Sequence, residues 1–296
     1  MTKRQLLDNF RVCLRYKTAK SWQKPGLNPH RFLANQWRKH GLPRPPVGRL
    51  RMADAFHLPR FAIVTGEAVS EQIASYGIYE ERLTEAFLRL MKPGQVALDI
   101  GMHLGYYSTL FAQLVGEEGQ VHAFEPTPST CDLAKRNVGQ FPRIIVHSCA
   151  LWSSVRTLPF HDYGLEWMAF NSFADARLEA RLPEPAEIQV NTTTLDQFRS
   201  DLGRPVDLVK IDAESAEKEI LAGAMRFLKL DRPILTLEVG DFAGNVRSQE
   251  LLEMLRAEDY HPWEFVAGRF KPHQLQSSYT YDNLILAPAA VDLALY

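Results

Sequence analysis

Beyond Gly94 the chain alternates short β-rich runs with helical stretches, and no other feature constrains the fold as strongly. The β-rich runs are Val96 to Ile100, Val121 to Glu125, Ile144 to His147, Leu208 to Ile211 and Ile234 to Val239. Helical segments fall between them, near Tyr106 to Val115, Pro128 to Val138, Ala216 to Leu228 and Gln249 to Ala257. This order predicts an α/β fold with a parallel sheet and helices on both faces. A turn-rich segment from Ser154 to Val190 interrupts the order and reads as an inserted hairpin with a short helix. Two late runs, Trp263 to Val266 and Leu284 to Leu286, have no helix between them and are expected to close the sheet as an antiparallel pair.

The residues before Gly94 read differently. Residues 1–60 hold 14 Lys and Arg against Asp8 and Asp54, a balance of +12, whereas the remainder holds 20 against 33, or −13. Aromatics are scattered among the cations, and Pro43, Pro45 and Pro46 interrupt any long helix. This zone is expected to be a basic N-terminal extension or lid outside the core, with residues 61–296 forming one domain. An anionic substrate or a membrane surface would suit its charge. No recognisable nucleic-acid module is present in it, so nucleic acid is not expected.

With three cysteines, Cys13, Cys131 and Cys149, set far apart, a disulfide framework is not expected. No window reaches the roughly 18 apolar residues that span a bilayer, and the first residues lack the apolar core of a signal peptide. The expectation is a soluble, cytoplasmic protein.

The first chemical motif is Leu98-Asp-Ile-Gly-Met-His-Leu-Gly105, at a strand-to-helix turn. Glycines there let a ligand approach the backbone. Glu125 closes the next strand 20 residues beyond Gly105, where an acid can bond both hydroxyls of a ribose. Charge then decides between adenosine ligands. A dinucleotide would bring its pyrophosphate to this turn, close to the anion Asp99 and the bulk of Met102 and His103. S-adenosylmethionine carries a sulfonium and an ammonium, which a carboxylate attracts. It is therefore favoured over NAD.

The ordered set of Asp99-Ile-Gly-Met-His-Leu-Gly-Tyr-Tyr-Ser108, Ala123-Phe-Glu-Pro126, Thr194-Leu-Asp196, Val209-Lys-Ile-Asp-Ala-Glu-Ser-Ala-Glu217 and Leu237-Glu-Val239 resembles the FkbM-type S-adenosylmethionine-dependent methyltransferases. Tyr76-Gly-Ile-Tyr-Glu80 is similar to the family's upstream glycine, tyrosine and glutamate, and the likeness runs over roughly residues 60 to 287. The resemblance implies a Rossmann-like seven-stranded methyltransferase sheet and methylation of a hydroxyl on a sugar, glycan or other secondary metabolite. It places Asp99, Gly101 and Gly105 around the methionine part of the cofactor, with His103 in the same turn. It sets Glu125 on the ribose, Ala150 and Leu151 at the adenine pocket, and Asp212 facing the transfer site. Met102-His103 and Ser215 depart from the family's usual residues and point to an altered pocket shape.

Methyl transfer to a hydroxyl usually needs a base. Candidates are Asp212, Glu214 and Glu238 at strand ends and His161 in the inserted hairpin; Glu217 reads equally well as a helix-opening acid. Asp212 and Glu238 could offer two hard oxygen ligands to Mg²⁺, but no further ligand spacing accompanies them and no metal is expected. The alternatives to a methyltransferase are an NAD-dependent oxidoreductase and a non-catalytic adenosine-ligand-binding protein.

Overall fold

A computed structural model describes residues 1–41, 46–173, 182–213, 215–241 and 247–296. The amino-terminal layer holds α1 (Lys3–Thr18), α2 (Lys24–Leu27), α3 (Pro29–His40) and the hairpin β1 (Leu50–Ala55) and β2 (Leu58–Val64). Helices α4 (Ala68–Tyr76) and α5 (Glu81–Leu90) follow. Next come β3 (Val96–Ile100), α6 (Tyr106–Val115), β4 (Gln120–Phe124), α7 (Pro128–Val138) and β5 (Ile144–His147). Strands β6 (Ala150–Leu151), β7 (Thr157–Asp162) and β8 (Ala186–Thr193) make a small separate sheet, with a 3-10 turn at Met168–Phe170. The chain then runs through α8 (Leu195–Leu202), β9 (Leu208–Ile211), α9 (Glu217–Ala222), α10 (Met225–Asp231) and β10 (Ile234–Val239). It closes with α11 (Ser248–Ala257), β11 (Tyr260–Val266), β12 (Arg269–Pro272) and β13 (Asp282–Pro288).

The main sheet is ordered β12-β11-β13-β10-β9-β3-β4-β5. Its parallel part, β5-β4-β3-β9-β10, is extended by β13, antiparallel to both β10 and β11. Without β12 this is the seven-stranded order expected from the resemblance. β12 is an eighth, added at the edge by a tight hairpin from β11. The strand order reverses between β3 and β9, and a ligand crevice opens at such a switch point.

Both faces of the sheet are covered, which is why its strands read as continuous apolar runs instead of alternating ones. In β3, Ala97 packs into the core beneath α1, α4, α5 and α6, while Val96, Leu98 and Ile100 enter the core beneath α9, α10 and α11. In β13, Ile285 and Ala287 take the first side and Leu284 and Leu286 the second.

The expectation that residues 1–60 stand outside the core is corrected by α1. Leu6 and Phe10 are fully buried in the first core, and the β1–β2 hairpin straddles the expected boundary at residue 60. The single helix expected from Ala216 to Leu228 is two. Gly223 lies so close to the Trp152 carbonyl that a Cβ would sit 2.2 Å from that oxygen, and Asp196 accepts the backbone N–H of Phe227 at 2.7 Å to start α10 afresh. Among the described residues no helix is long and apolar enough to cross a membrane.

Candidate functional site

The turn after β3 is built around Gly101. Its φ is +78°, and a Cβ there would sit 1.8 Å from the carbonyl oxygen of Asp212, so the turn can approach the end of β9 only with glycine. Both Gly101 and Met102 donate their N–H groups to the Phe124 carbonyl, at 3.1 and 2.9 Å. His103, also at positive φ, donates its backbone N–H to Glu125 Oε2 at 3.1 Å, and Thr127 donates to Glu125 Oε1 at 3.0 Å. Glu125 thus points into the turn, held by two amides, and burial pushes its carboxyl up to about 7 despite them. Burial lowers the His103 imidazole below its ordinary value, which keeps it neutral beside Glu67, 3.8 Å away. Gly105 serves another purpose: it opens α6 at φ +81°, and a Cβ there would meet Val138 of α7 at 2.7 Å.

The second wall is ionic. Parallel pairing sets Asp99 of β3 directly beside Lys210 of β9. Lys210 Nζ lies 3.0 Å from Asp212 Oδ2 and 3.5 Å from Asp99 Oδ1, over the Tyr107 ring, and is almost wholly buried. Burial would strip its proton, but Asp212, Asp99 and Glu80 outweigh that and hold it charged. Asp99 is fully buried and accepts the Ser108 hydroxyl at 2.5 Å; burial raises its pKa even with Lys210 at its side. For Asp212, burial acts upward, yet the Lys210 ammonium and hydrogen bonds from Glu238 and Lys210 prevail and hold the carboxyl below the usual range.

Glu80 completes this wall from far away in sequence. It opens α5 in the left-handed region, at φ 40°, and accepts from Tyr107 at 2.9 Å, Tyr281 at 3.0 Å and Asn283 at 2.7 Å. Burial, reinforced by Asp212, raises its pKa.

Between the two walls lies a cavity, part of it open to solvent, lined by apolar and aromatic side chains with a few convergent polar groups. Six expected site residues line it: Gly101, His103, Glu125, Ala150, Leu151 and Asp212. Asp99 and Gly105 stand behind the lining and shape it through Lys210 and α6. Glu238 is outside the lining and bears on the site through Asp212, Tyr79 and Tyr281. His161 is not brought to the cavity; its backbone pairs with Ser172 at the end of β7. Glu217 accepts the Ala213 N–H at 3.1 Å and acts locally at the start of α9. Glu214 lies outside the described residues.

The inserted hairpin does wall the cavity, through Phe160, Met168 and Phe173. Among the described residues none of the first sixty is in the lining, so no lid over the cavity is found among them. Sequence reasoning missed Lys210, Tyr79, Tyr107 and Tyr281 as site residues. Lys210 had a legible signal, a lone charge in the apolar run Leu208 to Ile211. Among the described residues no three His, Cys, Asp or Glu side chains are grouped to hold a metal.

A protein-family model, Methyltransferase FkbM domain, matches residues 99–262. The 2-O-methyltransferase NoeI of Sinorhizobium fredii is 28% identical over 181 residues, covering 56% of this chain and 73% of that protein. The 31-O-demethyl-FK506 methyltransferase FkbM of Streptomyces tacrolimicus is 29% identical over 176 residues, covering 49% of this chain and 67% of that one. Among solved structures, the methyltransferase FkbM from Methylobacillus flagellatus aligns over 95% of this chain and 58% of its own, with 13% identity and a TM-score of 0.44.

Proposed function

The chain belongs to the FkbM methyltransferase family and is an S-adenosylmethionine-dependent methyltransferase; on that premise we propose that it methylates a hydroxyl on a sugar, a glycan or another secondary metabolite. The family match favours this reading over an oxidoreductase and over a binder without catalysis. The observation that carries the acceptor reading is Asp212, a carboxylate held ionised at the cavity wall next to the glycine turn.

The donor set fits the cofactor. The lining pairs the carboxyl groups of Glu125 and Asp212 with one cation, Lys210, and a neutral imidazole, His103. A ligand that carries two positive centres and no phosphate suits that balance. In this reading Glu125 accepts the ribose hydroxyls, Gly101 and His103 border the methionine part, and Phe124, Ala150 and Leu151 enclose the adenine. Bound S-adenosylmethionine supplies an electrophilic methyl group in line with the acceptor oxygen.

Asp212 then does two things. Held ionised by Lys210, it accepts the acceptor's O–H hydrogen bond from the start and fixes the oxygen's direction. It takes the proton late, as the oxygen gives up electron density to the methyl carbon, because its low pKa makes it a weak base. Glu238, beside Asp212, helps to hold that carboxylate in place and ionised.

The test is Asp212→Asn, assayed by labelled methyl transfer to a panel of sugars and other hydroxyl compounds. Turnover should fall about 10²- to 10⁴-fold while affinity for S-adenosylhomocysteine stays nearly constant. Transfer only to amines, or loss of cofactor affinity in this variant, would overturn the reading.

A further inference from the structure

Helix α3 turns three polar side chains inward and leaves two large apolar ones exposed. Arg31 donates to the Ile73 and Asp54 carbonyls at 3.3 and 2.9 Å, Asn35 to the Ser75 carbonyl at 2.9 Å, and Arg38 to the Ser75 hydroxyl at 2.8 Å. These three, spaced i, i+4, i+7, form the stripe that faces the body, and α3 buries no residue completely. The outward stripe carries Leu33 and Trp37, 64% and 45% exposed and one turn apart. Beside it, Trp22, 75% exposed, and Arg15 line a shallow groove between the end of α1 and α2. Of the fifteen large apolar side chains exposed among the described residues, eight fall within the first 52 positions.

The chain that builds this face is basic, and the acids that meet it, Glu71 and Glu81, are paired with Arg38 and Lys17. From Asn9 to Ala53 there is no Asp or Glu, against 11 Lys and Arg. Arg15, Lys20 and Lys39, on α1, in the turn after it and on α3, are exposed. A purely solvated arm has no use for exposed Leu33 and Trp37. Nucleic acid would use the cations and the indoles but gain little from Leu33, Val12, Leu50 and Met52. A second copy of the same face would be repelled. An anionic bilayer uses both features, since aliphatic and indole groups enter the headgroup boundary while cations meet lipid phosphates.

We propose that the outward side of α3 and the adjoining α1–α2 groove dock the protein on an anionic lipid surface. Trp22, Leu33 and Trp37 enter the headgroup layer, and Arg15, Lys20 and Lys39 lie over the phosphates. The protein rests on the bilayer without crossing it.

The test is sedimentation of the full chain with phosphatidylcholine vesicles, with and without phosphatidylglycerol, followed also by tryptophan fluorescence. Binding should require the anionic lipid and bring a blue shift. Each cation near such a surface strengthens binding about fivefold, so Arg15→Ser/Lys20→Ser/Lys39→Ser should weaken it about a hundredfold. Leu33→Ser/Trp37→Ser should weaken it at least about tenfold. Both variants alter exposed side chains far from the cavity lining, and unchanged affinity for S-adenosylhomocysteine certifies their fold. The proposal falls if the chain binds neither vesicle or binds both alike, or if Leu33→Ser/Trp37→Ser binds as the parent does. It also falls if single-stranded RNA displaces the vesicles and its binding survives Leu33→Ser/Trp37→Ser but not the loss of the three cations, which would assign the face to nucleic acid.

Discussion

The two walls of the cavity solve the same problem by opposite means. On the β3–β4 side, Glu125 is buried yet satisfied by backbone amides a few residues from itself and from Gly101. On the β9 side, Asp212 is satisfied by side chains: Lys210 on its own strand and Glu238 on the next, with Glu80 and Tyr281 close by. The first wall needs only a short stretch of chain in the correct turn. The second needs Glu80, Tyr107, Lys210, Asp212, Glu238, Tyr281 and Asn283 to arrive from both ends of the domain. A site held by amides tolerates the loss of one side chain, because the amides then face the ligand or water. A site held by a buried charge network tolerates it least at its cation, because Asp99 and Asp212 both rely on Lys210.

That contrast is broken most severely at Lys210. Lys210→Met keeps the length of the side chain but leaves Asp99 and Asp212 buried without their cation, at a cost of about 3 to 5 kcal/mol read from urea unfolding. A loss below about 1 kcal/mol would mean that the second wall is not held by charge.

On the first wall the expected damage is to binding more than to folding. Glu125→Ala should weaken S-adenosylhomocysteine at least about tenfold by isothermal titration, the loss of a charge-assisted bond of about 1.5 to 3 kcal/mol. Unchanged affinity would remove Glu125 from the ribose.

The pH dependence is smaller and separates the walls further. Burial sets the Glu125 carboxyl at about 7, and a ligand that needs the carboxylate binds best above that value. Affinity for S-adenosylhomocysteine should therefore decline several-fold as pH falls through about 7, and Glu125→Gln should flatten the profile. His103 is already neutral there and Asp212 already ionised, so neither adds a step in that range. The same group acts on stability with a definite sign. Between its ordinary value of 4.5 and about 7 the folded chain holds a proton that the unfolded chain has released, so Glu125 lowers stability as pH rises through that window.

The mildest change is Tyr281→Phe at the cavity rim, which removes one neutral donor from Glu80. It should raise the acceptor KM about fivefold and leave cofactor affinity alone, the worth of about 1 kcal/mol for one such bond. An effect on the cofactor instead would put Tyr281 on the other wall.

Much of this was legible in the residues. β3, α6, α7, β5, β9 and β10 occupy the runs read from periodicity, since each is apolar on both faces or flanked by clear stop signals. The glycine turn and Glu125 were legible for the same reason, because local backbone geometry demands those residue types there. The β1–β2 hairpin and α4 were not read, their signals being short and mixed with charge. Asp99 and Gly105 were read as cofactor contacts, although the strand register gives Asp99 to Lys210 and the crossing of α6 and α7 gives Gly105 to packing.

By itself, the sequence determined the alternation of strands and helices, the turn at Gly101 and the acid after β4, because each depends on interactions among neighbours in the chain. Tertiary structure alone decided which charges meet. Glu80 reaches Asn283 across 203 positions, and no local pattern encodes such a pairing. Tertiary structure also decided that α1 is core while α3 leaves Leu33 and Trp37 in solvent. Helical periodicity reveals that a helix has two faces, but only the groups waiting beneath it, here the carbonyls of Asp54, Ile73 and Ser75, select the face that turns inward.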